Sequence, residues 1–323
     1  MAEETRTESL TFVSNDGVTQ IHARIWWPAG LARGENGALP RPRGIVQIVH
    51  GMAEHISRYD SFARFLAGNG YLVCGHDQLG HGKSVRDRSQ WGCLPPKTGK
   101  DILIQDIHDL RGIVSARCAP GTPYFVFGHS MGSFETRVYI SRHAEGLAGA
   151  IICGTGYVDP KTSAAGNAMA RLICRLRGAD HISGMLHSMA DGAYAKAIPD
   201  AKSPFDWLSH NRDNVNAYIA DPACGYMFSA GGYATLTSLT QEACSPACAQ
   251  AVPNGLPLLY MAGAEDPVGD NGKGVTTSFK MAQRAGASDA QLKLYPNMRH
   301  EILNETGRQA VYTDVLNWLV ARS

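Results

Sequence analysis

The chain has 323 residues, a length that suits one large domain or one domain with an insertion. Apolar residues make up 44% and charged residues 18%, as in a globular protein, and a net charge of +1 excludes a general attraction for nucleic acid. The polar, acidic start MAEETRTESL lacks the basic and apolar regions of a signal peptide, no apolar run is long enough to span a bilayer, and eight scattered cysteines form no CxxC pair, so a cytoplasmic location is expected.

In chain order, SLTFVSNDGVTQIHARIWWP reads as two strands joined at Asn15-Asp16-Gly17, a hairpin signal. AGLARGENGALPRPR, residues 29–43, follows as a loop. GIVQIVH is a near-continuous β-branched run, as expected of a strand covered on both faces of a parallel sheet. A helix is expected from Arg58 to Gly68, broken by Gly70, and then a buried strand in YLVCGHD. Asp101 to Arg117 carries Ile104, Ile107, Leu110, Ile113 and Val114 at helical spacing. PYFVFG is a strand, Ser130 to His143 a helix, and GAIICG a strand. This alternation predicts an α/β class with a doubly wound sheet.

The alternation stops near Thr155, and no convincing buried strand occurs from there to Tyr233. The stretch holds helix-like pieces such as AMARLICRLRG, with Met169, Leu172, Ile173 and Leu176 on one face. It is broken by Pro160, Pro199, Pro204 and Pro222. Residues 155–233 therefore read as a mainly helical insertion over the carboxyl edge of the sheet, and residues 1–154 with 234–323 as the core domain. The pattern resumes with a helix near Ala234 to Ala251, the strand LPLLYMAG, a helix near Lys273 to Ala285, the strand QLKLYP and a last helix from about Thr306 to Val320.

Gly128-His129-Ser130-Met131-Gly132 fits G-x-S-x-G at the point where a strand becomes a helix. Such a turn lifts a serine hydroxyl over the sheet edge, and the flanking glycines avoid collisions with strand and helix. A serine needs a base to take its proton and an acid to orient that base. In this architecture the acid and then the histidine follow the serine in the chain. Asp266 lies just past the strand Leu256–Met261, and His300 just past the strand Gln291–Tyr295. Active groups of such sheets collect outside the carboxyl ends of strands. Glu265 and Asp270 are the neighbouring acids; Asp266 is favoured because Pro267 fixes its loop. Asp77, between His76 and His81, precedes the serine and is in the wrong order. The developing oxyanion requires two backbone N–H donors. Met131, at a helix N-terminus, and Met52, after Gly51, are the candidates. Cys244 and Cys248 are spaced as half a metal site, but no matching half exists, so no metal and no cofactor are expected.

HGMAEHISRY, GYLVCGHDQLGHGKS, FGHSMGS, AGAEDPVG and LYPNMRHEILNE together resemble the monoacylglycerol lipase and lysophospholipase group of serine hydrolases, from about Thr11 to Leu319. The resemblance implies an α/β-hydrolase fold, a cap over the site, the triad Ser130, Asp266 and His300, and an oxyanion hole at Met52 and Met131. Ala53 stands where the family often has the second glycine of H-G-x-G-E-H. Glu54, His55, Arg58 and Tyr59 read as residues that tie this loop down.

For the substrate, the expectation is a single-chain lipid ester, a monoacylglycerol or lysophospholipid. A small-ester carboxylesterase and an aminopeptidase-like amidase are the alternatives, and a receptor without turnover is disfavoured by the complete triad. Among the insertion's apolar residues, Leu172, Met185, Leu186, Trp207 and Phe228 are candidates for the acyl pocket. Arg171, Arg175 and Arg177 read as a solvated face that could also touch an anionic membrane surface transiently. No feature specifies an oligomeric state.

Overall fold

Asp16 organises the first turn: its Oδ1 accepts the backbone N–H groups of Val18 and Thr19, both at 2.8 Å, while Gly17 takes a φ of +80°. The flanking strands, β1 (Arg6–Val13) and β2 (Gln20–Trp27), pair antiparallel as expected. The computed structural model describes residues 5–31 and 38–323. Residues 1–4 of the acidic start and 32–37 of the expected loop lie outside the described residues.

The chain continues through β3 (Ile45–Val49), α1 (Asp60–Gly68), β4 (Leu72–His76), α2 (Gly99–Ser115), β5 (Tyr124–His129), α3 (Met131–His143) and β6 (Gly149–Cys153). Then come α4 (Pro160–Arg177), α5 (Gly184–Met189), α6 (Arg212–Ala220), α7 (Ala230–Ala243) and α8 (Pro246–Ala251). The last elements are β7 (Leu258–Gly263), α9 (Lys273–Arg284), β8 (Ala290–Tyr295) and α10 (Arg308–Val320). The strands form one sheet in the order β1-β2-β4-β3-β5-β6-β7-β8. β2 meets β4 antiparallel, and every pairing from β4 to β8 is parallel. β3 to β7 are buried along their whole length, which is why they read as near-continuous apolar runs. One face packs Phe127 and Phe125 against Phe62 of α1 and Tyr312 and Trp318 of α10; the other packs Val126 and Tyr260 among side chains of α2, α3 and α7. The chain has the α/β-hydrolase fold.

Two details differ from the sequence expectation. The helix expected near Ala234 to Ala251 is two helices: Cys244 ends α7, and Ser245 caps α8 by accepting from the Cys248 N–H, with Pro246 in the first turn. The apolar stripe of α4 packs inward only in part: Ile173 lies against the core and Met169 lines a cavity. Leu172 and Leu176 are exposed, and α4 lies against α7 through small residues instead. A Cβ at Gly166 would stand 3.2 Å from Thr237, and Ser163 Oγ is 3.0 Å from Thr240 Oγ1. Close approach of two helix backbones requires small side chains at the seam, so Leu172 and Leu176 turn outward.

Between β6 and α7 no strand joins the sheet; α4, α5, α6 and short 3₁₀ turns cross its carboxyl edge. Asp159 starts α4 by accepting from Lys161 N–H at 2.9 Å, ahead of Pro160 at the first helical position.

Candidate active site

Ser130 sits between β5 and α3 with φ +54° and ψ −119°, a conformation that L-residues rarely adopt. Its N–H is anchored to the Cys153 carbonyl at 3.0 Å. The flanking glycines are forced by close approach. A Cβ at Gly128 would lie 2.1 Å from Thr136 Oγ1, and one at Gly132 would lie 2.1 Å from the Val49 carbonyl. The turn therefore exists only with glycine at both positions.

His300 follows β8 and Asp266 follows β7. His300 Nδ1 is 2.9 Å from Asp266 Oδ2, and both side chains are buried. Asp266 Oδ1 accepts the Val268 N–H at 2.9 Å, which fixes the carboxylate. The alternative acids are placed elsewhere. Glu265 pairs with His210 at 2.8 Å, and Asp270 is exposed beside Lys273. Asp77 holds the loop after β4, beside His22 and the Lys83 and Ile56 N–H groups. Burial opposes its charge, but these partners outweigh it and bring the carboxyl down to about 2.

Gly51 and Met52 lie beside Ser130; a Cβ at Gly51 would be 3.0 Å from Ser130 Cβ. Met52 and Met131 both line the same cavity as Ser130. Ala53 has φ +52°, in the left-handed region that glycine adopts more readily, so alanine holds this backbone path under strain. Glu54 holds this loop: its Oε1 accepts the Gly51 N–H at 2.6 Å and the Tyr59 hydroxyl at 2.7 Å, and its Oε2 meets Arg58 Nη1 at 2.7 Å. Arg58 also grips Glu301 with both nitrogens, Nη2 at 2.7 Å from Oε2. Burial works against the Glu54 charge, yet His129 and Arg58 hold its carboxyl well below the usual range.

The cavity above Ser130 has a volume of about 530 Å³. Its walls are mostly apolar, with Phe134, Leu186, Tyr194, Trp207, Leu236 and Val268 among them. Of the five expected pocket residues, Leu186 and Trp207 line it, and the Trp207 ring lies 5.2 Å from the His300 ring, tilted at 45°. Leu172 and Met185 do not: both are about half exposed on the outer faces of α4 and α5. Phe228 does not line it either. It is fully buried behind Tyr226, packed against His81 and Tyr233. Phe134 and Val268 were missed, although each had a signal, four residues past Ser130 on its helix and two past Asp266.

Glu305 was also missed. It is buried and accepts the N–H groups of Arg299 and His210, both at 2.9 Å, and of Asn211 at 3.2 Å. With the bond from Glu301 N–H to the Leu208 carbonyl at 2.7 Å, it joins the His300 loop to residues 206–211 of the insertion. No described helix is long and apolar enough to cross a membrane.

A family model described as serine aminopeptidase, S33, matches residues 40–307. A monoacylglycerol lipase of Mycolicibacterium smegmatis is 29% identical over 99% of each chain. Human monoglyceride lipase is 23% identical over 98% of this chain and 92% of its own. Among solved structures, a thermostable carboxyl esterase from Bacillus coagulans in complex with glycerol superposes with a TM-score of 0.88 at 30% identity, covering 98% of each chain. A soluble variant of the Saccharomyces cerevisiae monoglyceride lipase shares the fold, with a TM-score of 0.74 at 21% identity over 100% of this chain and 98% of its own.

Proposed function

Because the chain belongs to the serine aminopeptidase S33 family, within the monoacylglycerol lipase group of α/β-hydrolases, we propose that Ser130, His300 and Asp266 hydrolyse single-chain lipid esters through an acyl-enzyme. Ser130 Oγ attacks the ester carbonyl as the free nitrogen of His300 takes its proton, and Asp266 orients the imidazole and balances its charge. The N–H groups of Met52 and Met131 receive the oxyanion. His300 then protonates the leaving alcohol, and a water deacylates the serine by the same route.

The observation that carries the choice of substrate is the cavity. Its only carboxylates, among the described lining residues, are Glu54 and Glu301, and both are bound to Arg58. A peptide's free amino group would require an unpaired acid there, so the amidase alternative has no anchor. No lysine or arginine is among the described lining residues either, which favours an uncharged glycerol head over a phosphate.

Residues 155–233 act as a cap on the core formed by 1–154 and 234–323. Met169 and Met189 are both exposed and cavity-lining, so the mouth lies between α4 and α5. Leu172, Leu176 and Met185 continue this exposed apolar rim, with Arg171, Arg175 and Arg177 on α4. That composition suits transient contact with an anionic lipid surface. Eight cysteines without a disulfide suit a reducing cytoplasm.

Ser130→Ala tests the reading directly. It should fold normally and lose on the order of 10⁴-fold or more in kcat on a monoacylglycerol. Retention of a tenth of the activity removes Ser130 as nucleophile.

A further inference from the structure

His129 lies between Gly128 and Ser130, and its ring is buried. Its Nε2 is 3.2 Å from the backbone oxygen of His300, and its Nδ1 is 3.5 Å from Glu54 Oε1. A carbonyl and a carboxylate both accept hydrogen bonds and neither donates. A neutral imidazole carries a lone pair on one nitrogen, so one of these two contacts would set lone pair against lone pair. With a proton on each nitrogen, Nε2 donates to the His300 carbonyl and the ring's charge faces the Glu54 carboxylate at 3.5 Å, an ion-pair contact in which Nδ1 makes no hydrogen bond.

Glu54 in turn meets Arg58, and Arg58 meets Glu301, the neighbour of His300. A buried chain of alternating charge thus runs His129, Glu54, Arg58, Glu301, with zero net charge. One end adjoins Ser130 and the other adjoins His300. The groups around the His129 ring are Glu54, Glu301, the Tyr59 ring at 6.2 Å and the His300 ring at 4.7 Å, with Asp266 behind His300. Burial alone would drive the proton off His129, and Glu54 outweighs burial, raising the ring above its ordinary value.

We infer that His129 is held as an imidazolium and is a positioning residue: it pins the Ser130 turn to the His300 loop and, through Glu54, to Gly51 beside the candidate oxyanion donor Met52. Its charge lies against the ring of the candidate base. This inference rests on the reading of Ser130 and His300 as nucleophile and base.

Nitrogen-15 spectra of the wild-type protein at about pH 8, where an ordinary histidine is neutral, test the charge state without any variant. Two protonated ring nitrogens are expected for His129, and a neutral tautomer overturns the inference. Glu54→Gln should give the neutral pattern at the same pH; a ring still doubly protonated overturns the part assigned to Glu54. His129→Gln keeps an N–H for the His300 carbonyl but no charge. It should lower kcat about tenfold or more and leave KM within about twofold, because the cavity walls are untouched. Glu54, Arg58 and Glu301 then carry one net negative charge near His300, so the acidic limb of kcat/KM should move up by about half a pH unit or more. A limb that stays in place, or a loss confined to KM, overturns the positioning role. An active Ser130→Ala would sink the catalytic reading instead, and the spectra would still decide the charge on His129.

Discussion

The cavity sets a limit on acyl chain length. A non-hydrogen atom of a lipid takes up about as much room as a water molecule, roughly 30 Å³. A cavity of about 530 Å³ then holds roughly eighteen such atoms. About seven belong to the glycerol and the carbonyl oxygen, so a chain of roughly ten to twelve carbons fills it. Each methylene buried contributes at most about 0.8 kcal/mol, or about fourfold in kcat/KM. The assay is a series of 1-monoacylglycerols from acetyl to stearoyl, with soluble nitrophenyl esters as a parallel set. kcat/KM should climb steeply through the medium chains and level off where further carbons leave the mouth. Leu186→Ala strips the wall of contacts equivalent to two or three methylenes. It should cost a medium-chain ester up to about 2 kcal/mol, about 30-fold, and an acetyl ester little. Leu172→Ala, on the exposed face of α4, should leave the soluble esters unchanged. An acetyl ester turned over best, or Leu186→Ala indistinguishable from Leu172→Ala, would refute the acyl-pocket reasoning.

Other consequences can be checked separately. Gly132→Ala would place a Cβ 2.1 Å from the Val49 carbonyl and 2.6 Å from that of His50. It should destabilise by about 1–3 kcal/mol and lower kcat by about 10²-fold, as read by urea melts and kinetics; a wild-type rate would show that the turn tolerates the shift. His76 and His81 are buried, which pushes each ring down to about 3. Neutral in the fold, they contribute stability that is complete above the unfolded value near 6.5 and is lost as pH falls below it, on the order of 1 kcal/mol each by about pH 5.5. A melting temperature unchanged between about pH 7.5 and 5.5 would contradict this. Ala53→Gly removes left-handed strain of about 1–2 kcal/mol but loosens the unfolded chain by about 0.5–1 kcal/mol. A net gain of up to about 1 kcal/mol is expected, and a clear loss would mean that the Ala53 methyl is needed for packing. Dialysis against a chelator should leave the rate unchanged, whereas a loss restored only by zinc would point back to Cys244 and Cys248.

Much of this protein is legible along the chain because its signals are local. The near-continuous apolar runs of β3 to β6 mark strands buried on both faces, and two glycines around Ser130 mark a turn whose collisions arise within a few residues and one neighbouring strand. The order serine, acid, histidine is likewise a property of the chain. Which acid faces His300 is not. Glu265, Asp266 and Asp270 lie within six positions, and only the path of the loop after β7 turns Asp266 inward and leaves Glu265 to His210. The insertion was the least legible part. Periodicity marks an apolar stripe on α4 but not the surface it meets, and small residues at the α7 seam turned Leu172 outward, while Phe228 was drawn behind Tyr226. The Glu305 bonds to Arg299, His210 and Asn211 span up to 95 positions and leave no periodic trace. Spacing determined which side chains reach one sheet edge; the packing of α4, α5 and the turns after them decided which of them share a cavity, because burial of a side chain depends on distant neighbours that local pattern does not encode.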